Sequence, residues 1–483
     1  MRIVFALHHA GAFRSFEDVV RCWCCAGHSV HMLVGDLPKP IAIDRGLKAC
    51  LAELSGLTVE RMHDRQKWLK LTNVRELLNF ANYLRPEHPA PLQARRWKSL
   101  VARPVKKVIK RRPIARLLPR PGFRRLLRRI ERLIPTEPAI REWLRMNQPD
   151  VVVASPYVFP LSREVEYIKA ARALGIPTVV IVLSWDNLTS KGTFHVLPDV
   201  TLVWNSALAD EAESFHDVPR GKLVVTGAPT FDFWYVMKPS LDYAAFARNL
   251  HIDGSKSFVL YLCSSQFIAE NEQRFVTEFA RALRDYPATK EVGIVVRPHP
   301  LNDAIWKGFS LDGVTIWPRS GEWVDLPDAK QNYYDTLFHS AAVVGVNTSA
   351  FLEAAILDKP CITVLTEASK PKQSGLSHFQ HLLNGGFLEI AESYQNAAEI
   401  FADILAGRDA RKAQRQRFVP DFIRPHGIDQ PVSPLVAKVI EAVARGDSLQ
   451  QATAMLEMHP HNLNELPYTQ KGLRRFFKAS LLL

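Results

Sequence analysis

Cysteine is scarce in this chain, and none of it is arranged for chemistry. Six cysteines are spread over 483 residues. Cys22, Cys24 and Cys25 form one CxCC run, and Cys50, Cys263 and Cys361 stand alone. That excludes a disulfide scaffold and lacks the paired CxxC or Cys/His spacing of a structural zinc site. Small residues on a helix face account for the cluster. Long apolar runs are missing as well: Val179–Leu183 and Ala341–Val346 fall far short of the roughly 18 residues a membrane-spanning helix needs. The opening run Ile3–Leu7 is stopped by His8-His9. It is too short for the core of a secretory signal, so the protein is expected to stay in the cytoplasm. A glycine-rich dinucleotide fingerprint is also absent, because the first strand candidate is followed by His8-His9-Ala10-Gly11-Ala12, with one glycine. That argues against a nicotinamide or flavin enzyme.

Acidic residues are nearly missing from one stretch. Between Arg95 and Arg132 sixteen Lys/Arg meet a single acid, Glu131, for a local net charge of +15. The whole chain carries +13, so the rest is close to neutral and the charge is one basic block. The remaining composition is ordinary, 47% hydrophobic and 23% charged, which excludes wholesale disorder and collagen-like repeats. A chain of this length has room for two large α/β domains.

Strand and helix patterns alternate along it. Ile3–Leu7 reads as a strand, a helix starts near Ser15, and Val30–Val34 is a second strand. Strand–helix–strand within about 35 residues is a parallel crossover. Beyond the basic block come Val151–Ala154, Thr178–Leu183, Val200–Trp204 and Leu223–Thr226, then a connector at Lys238–Gly254. A second set follows: Phe258–Leu262, Gly293–Val296, Val314–Trp317, Ala342–Val346 and Cys361–Leu365. The expected fold class is α/β, with two doubly wound Rossmann-like domains facing across a cleft. Their expected bounds are 1–237, with a basic insertion at 95–135, and 253–430, followed by C-terminal helices and a basic amphipathic tail at 431–483. Ligands of such sheets lie beyond the carboxyl ends of the strands, where the strand order switches.

Four loops at those ends carry chemistry. His8 and His9 follow the first strand, and an imidazole there can serve as a general base. Ser184-Trp185-Asp186-Asn187-Leu188-Thr189-Ser190-Lys191-Gly192 gathers a carboxylate, an amide, hydroxyls and an ammonium, the mixture that sugar hydroxyls require; a turn bonded to its own backbone would use the same residues. Arg297-Pro298-His299-Pro300 presents two donors from a stiff backbone, and Arg suits phosphate. Asn347-Thr348-Ser349 precedes Ala350-Phe351-Leu352-Glu353. Ser349 reads as the N-cap, with helix amides for phosphate, and Glu353 lies on the same face for ribose hydroxyls.

These residues bring a family into view. "MRIVFALHHAGAFRSFEDVVRCWCCAGHSVHMLVG" resembles the N-terminal crossover of GT-B glycosyltransferases. "PDVTLVWNSALADEAESFHDVPRGKLVVTGAPTFD" resembles their inter-domain approach, and "LFHSAAVVGVNTSAFLEAAILDKPCITV" their nucleotide-sugar half-site. The resemblance spans about Met1–Ala90 and Gln148–Val443. It implies that Thr348 and Ser349 hold phosphate and that Glu353 holds ribose. The RPHP element is similar to one in capsule- and teichoic-acid-type transferases, which implies donor-phosphate contacts from Arg297 and His299. A non-hydrolysing UDP-N-acetylglucosamine 2-epimerase shares this architecture, but its His-Arg-Arg-Glu-Asn element would fall near Ser264-Ser265-Gln266, where none of those residues stands. No DxD-like motif occurs in a convincing context, so no metal is expected, and no cofactor beyond the nucleotide-sugar substrate.

Within the basic block Phe123, Leu126, Leu127, Ile130, Leu133 and Ile134 share one face of a helix, and Arg124, Arg125, Arg128, Arg129 and Arg132 the other. In the tail, Leu473, Phe476 and Phe477 alternate with Lys471, Arg474, Arg475 and Lys478. An anionic membrane surface is the expected partner. The competing readings are a helix packed on the domain with a solvated arginine face, and nucleic acid, for which only Trp97 and Phe123 offer stacking in the block. Together these readings give a glycosyltransferase at the inner face of the membrane. It would move a sugar from a nucleotide donor to a surface-polysaccharide or lipid-linked acceptor, with His8, His9 and Asp186 catalytic and Trp185, Asn187 and Lys191 on the acceptor side. A CDP-polyol phosphotransferase and an epimerase-like enzyme are the alternatives.

Overall fold

The computed structural model describes residues 1–35, 41–63, 69–85, 91–266, 268–269, 271–365 and 373–457. The chain divides into two compact units, the first comprising Met1–Asp232 and the chain from Phe422 on, the second Phe233–Asp421. In the first, β1 (Arg2–Leu7), β2 (Ser29–Val34), β3 (Leu57–Arg61), β4 (Val151–Ser155), β5 (Thr178–Ile181), β6 (Val200–Val203) and β7 (Leu223–Val225) form one sheet. Their order is β3-β2-β1-β4-β5-β6-β7, every pair parallel. In the second, β8 (Phe258–Leu262), β9 (Gly293–Arg297), β10 (Val314–Ile316), β11 (Ala342–Gly345), β12 (Cys361–Val364) and β13 (Leu388–Ala391) run β10-β9-β8-β11-β12-β13, again all parallel. The two sheets share one topology, with the order reversing between β1 and β4 and between β8 and β11. These are the two Rossmann-like domains expected for a GT-B fold.

The central strands are mostly apolar because helices cover both faces. Val151–Ser155 and Phe258–Leu262 are buried at every position. Two edge strands, β3 and β13, escape a reading based on apolar runs: Leu-Thr-Val-Glu-Arg and Leu-Glu-Ile-Ala bury only some of their side chains. In the CxCC run Cys22 and Trp23 are buried, and the Trp23 indole packs edge-on to Phe5 and donates to the Ala437 carbonyl at 3.4 Å.

Ala437 belongs to the helix Val432–Arg445, whose apolar face lies in the same core as Phe5 and Trp23. The described part of 431–483 is therefore a layer of the first domain rather than a separate piece. Its entry is fixed by a buried ion pair: Asp232 accepts from Arg424 at 2.7 Å and from the Val432 and Ser433 amides at 2.9 and 2.6 Å. The carboxylate thus neutralises a guanidinium and caps a helix at once. The tail residues Lys471–Lys478 lie outside the described residues.

The basic block folds as short helices, Arg103–Ile109, Arg112–Leu117 and Pro121–Leu133, each with proline in its first turn. The amphipathic helix expected there does form, but it is turned. Its buried side chains are Arg124, Leu127, Arg128 and Glu131, so Arg124 and Arg128 do not belong to an outward cationic face. Arg128 bonds Asp217 and the His216 carbonyl, and Arg124 bonds the Pro119 carbonyl at 2.8 Å. Glu131 accepts from Arg75 at 2.7 Å and Lys169 at 3.2 Å. Among the described residues no helix is long and apolar enough to cross a membrane.

Replacing Asp232 with alanine leaves the Arg424 charge buried without its partner and two helix amides unmet. A loss of about 3–5 kcal/mol is expected for the first domain. Denaturant unfolding followed at that domain's transition measures it, and an unchanged midpoint would remove the pair from any structural role.

Candidate functional site

In the first domain the switch lies between β1 and β4. Beyond β1 the His8 amide donates to the Ser155 carbonyl of β4 at 3.1 Å. On the other side, Gly35 beyond β2 packs so closely on the His8 carbonyl that a Cβ there would come within 2.2 Å of it. Only glycine fits, and the His8 backbone is clamped from both neighbouring strands. Its ring is partly exposed. Nδ1 lies 3.1 Å from Glu164 Oε1, and that carboxylate is fully buried. The other carboxylate oxygen accepts from the Ser162 hydroxyl at 2.5 Å, and the Phe159 ring packs against the imidazole at 4.5 Å. The pair is close in distance without the alignment of a hydrogen bond, since Oε1 has no hydrogen-bond partner among the described residues. A buried carboxylate beside Nδ1 still favours positive charge on the ring, as a general base needs.

His9 stands apart from this pair. Burial, with the neighbouring His8 and Arg14 adding to it, lowers its pKa to about 4. It is neutral at physiological pH and a weak base. Of the two histidines named by the sequence, His8 holds the base geometry.

The loop after β5 turns back on itself. Asn187 is buried and its Oδ1 accepts from the Ser184 amide at 2.7 Å. Asp186 Oδ2 accepts from the Ser190 hydroxyl at 3.0 Å and lies 3.1 Å from Lys191 Nζ. Trp185 is buried too, so it and Asn187 are held within the loop. The loop is braced by the helix Leu69–Asn82, whose Asn79 accepts from the Thr193 amide at 3.0 Å, and by the insertion, whose Trp97 donates to the Ser190 carbonyl at 3.4 Å.

In the second domain Arg297 ends β9, and its guanidinium is buried. It donates to Asn332 at 3.0 Å and Glu322 at 3.4 Å, and lies over the Tyr333 ring at 4.5 Å. Burial opposes its charge, while Tyr333, Glu322 and Glu353 favour it. The Tyr333 hydroxyl donates to Glu353 Oε2 at 2.6 Å. Arg297 and Glu353, expected as separate contacts, thus meet through one tyrosine that neither motif contains. Of its two bonds the one to Glu322 is the longer. His299 Nδ1 accepts from the Leu301 amide at 3.1 Å, so its neutral ring carries hydrogen on Nε2.

The turn after β11 differs from the expected cap. Ser349 is exposed and makes no side-chain cap, and the Ala350 amide instead donates to Thr348 Oγ1 at 3.3 Å. Beneath this turn lies Glu272, which the sequence reading did not single out. It is fully buried and accepts from the Ser264 amide at 2.8 Å and the Tyr261 hydroxyl at 3.0 Å. Ser264, beyond β8, in turn donates to the Asn347 carbonyl at 3.0 Å. Glu272 therefore ties the β8 and β11 ends together at the second switch point. Burial raises its pKa to about 7, with the bonds from Ser264 and Tyr261 working against the rise. Its partners sit 8 and 11 residues away on another element, beyond any local spacing rule. The same holds for Glu164 and His8, 156 positions apart in the chain.

No protein-family description and no curated protein matches the chain. Solved structures do share its fold. An S. aureus MnaA–UDP structure aligns with TM-score 0.51 and 12% identity, covering 92% of this chain and 97% of that one. A UDP-N-acetylglucosamine 2-epimerase aligns at 0.51 and 10%, covering 92% and 95%. A glycosyltransferase from Rickettsia africae aligns at 0.50 and 8%, covering 92% and 99%. At such identities the likeness is one of fold, and it spans both domains.

Because Glu272 holds its proton more tightly in the folded state, wild-type stability should fall as pH rises from its ordinary value of 4.5 to about 7. The fall should total about 3 kcal/mol. Glu272→Gln cannot ionise and escapes it. Stability relative to wild type should therefore shift in the variant's favour by that amount between about pH 4 and pH 8. Parallel curves in denaturant titrations would show that Glu272 does not titrate in this window.

Proposed function

We propose that this chain is a glycosyltransferase that takes a sugar from a nucleotide donor and passes it to an acceptor hydroxyl of a surface-polysaccharide or lipid-linked glycan at a membrane face. The observation that carries the reading is the His8–Glu164 pair at the first switch point. His8 Nε2 takes the proton of the acceptor hydroxyl as its oxygen attacks the anomeric carbon, and the bond to the donor phosphate breaks. Glu164 at Nδ1 keeps the ring in place and balances the imidazolium that forms. The second domain supplies the nucleotide side: Glu353, held by Tyr333, for ribose hydroxyls, and His299 with the Thr348 turn for the phosphate. UDP in the MnaA structure makes a uridine diphosphate the first ligand to try. An epimerase reading is favoured by the epimerase among the compared structures; it would interconvert a nucleotide sugar with no acceptor present.

Steady-state kinetics separate these roles. His8→Ala should lower kcat by about 10²–10⁴-fold with little change in donor KM. Glu353→Ala should raise donor KM at least tenfold with kcat less affected. UDP at about 100 times its Kd should stabilise the native protein by about 2.7 kcal/mol, and this gain should vanish in Glu353→Ala. Interconversion of UDP-N-acetylglucosamine without acceptor would turn the assignment to epimerase, and a new phosphodiester in the product would turn it to a polyol phosphotransferase.

A further inference from the structure

The rotation of the helix Pro121–Leu133 leaves a ridge of large apolar side chains in solvent. Leu126 is 50% exposed, Ile130 38% and Leu133 82%, and their spacing of i, i+4 and i+7 places them on one face. Arg125, Arg129 and Arg132 are exposed in a parallel row beside them. The opposite face is pinned by the buried bonds of Arg124, Arg128 and Glu131 to Pro119, Asp217, His216, Arg75 and Lys169. Turning the leucines inward would break those bonds and leave charges buried, so the ridge stays outside. Exposed apolar rows of this kind mark an interaction surface.

The surroundings select the partner. Of the sixteen basic residues between Arg95 and Arg132, thirteen are exposed, and the one acid of the stretch, Glu131, is buried. The exposed surface of this stretch is therefore cationic, and Arg125, Arg129 and Arg132 bring that charge beside the ridge. Nucleic acid would want exposed rings for stacking, but Trp97 is buried and Phe123 only half-exposed. The C-terminal tail carries Lys471, Arg474, Arg475 and Lys478, charges of the same sign as this surface. We infer that the helix Pro121–Leu133 lies flat on an anionic lipid bilayer, with Leu126, Ile130 and Leu133 entering the headgroup–acyl boundary and Arg125, Arg129 and Arg132 on lipid phosphates. This rests on the membrane-face reading above and names the surface that would serve it. It asks nothing of the nucleotide chemistry.

The test is sedimentation of the full chain with vesicles of phosphatidylcholine alone and of phosphatidylcholine with phosphatidylglycerol. Binding to the anionic vesicles only is expected, weakening as salt is added. The variant Leu126→Ser/Ile130→Ser/Leu133→Ser should melt like wild type yet bind at least tenfold more weakly. Ile130→Trp should show a blue-shifted emission on the same vesicles. Full binding by the triple serine variant, with no shift from Ile130→Trp, would overturn the ridge as the contact while leaving the membrane-face reading intact. No binding of wild type to either vesicle would overturn both. A wild-type dimer that the triple variant makes monomeric would show that a second copy of the chain covers the ridge, and would also overturn the proposal.

Discussion

Every strand in both domains runs parallel to its neighbours, and that constraint governs the rest of the molecule. In a parallel sheet all carboxyl ends meet at one edge, so loops distant in sequence are gathered there whatever their composition. The reversal of strand order between β1 and β4, and between β8 and β11, opens a place at that edge where adjacent loops diverge. His8 and the Ser155 end of β4 border the first. Ser264 and the Asn347 turn border the second. The polar side chains His8, Ser155, Ser264 and Asn347 thus gather at the edge where sheets of this kind leave room for a ligand.

Around those two edges the polar side chains act in pairs rather than alone. Glu164 holds His8, Tyr333 links Arg297 to Glu353, and Glu272 joins two strand ends by accepting from one and, through Ser264, reaching the other. A group buried among such partners keeps one orientation, because any other would strand a polar atom away from water. The loop after β5 shows the opposite use of the same residue types. Its Asp186, Asn187 and Ser190 satisfy one another and their own backbone, which makes a rigid turn.

Buried charge also decides how the inserted helices face. Hydrophobicity alone would turn Leu126 and Ile130 inward. The pairing of Glu131 with Arg75 and Lys169, and of Arg128 with Asp217, outweighs it, because a buried charge without a partner costs more than an exposed leucine. The one acid in a stretch of sixteen bases thus fixes which side of the helix meets solvent.

The sequence by itself determined the α/β class and eleven of the thirteen strands among the described residues, because the nine central strands carry local apolar runs and the edge strands β7 and β10 do so too, as Leu-Val-Val and Val-Thr-Ile. It also located the strand ends at which His8, Arg297 and Thr348 stand and the helix that follows with Glu353, since each position follows from the strand before it. Edge strands β3 and β13 were illegible, because Glu and Arg in Leu-Thr-Val-Glu-Arg and Glu in Leu-Glu-Ile-Ala break the apolar run. Only the tertiary structure decided that His8 rather than His9 has a carboxylate, that Tyr333 unites Arg297 with Glu353, that Glu272 exists as a buried acid, and that Arg124 and Arg128 point inward. Each of these depends on a partner on another element, and no periodicity along a chain records which distant side chain will arrive beside it.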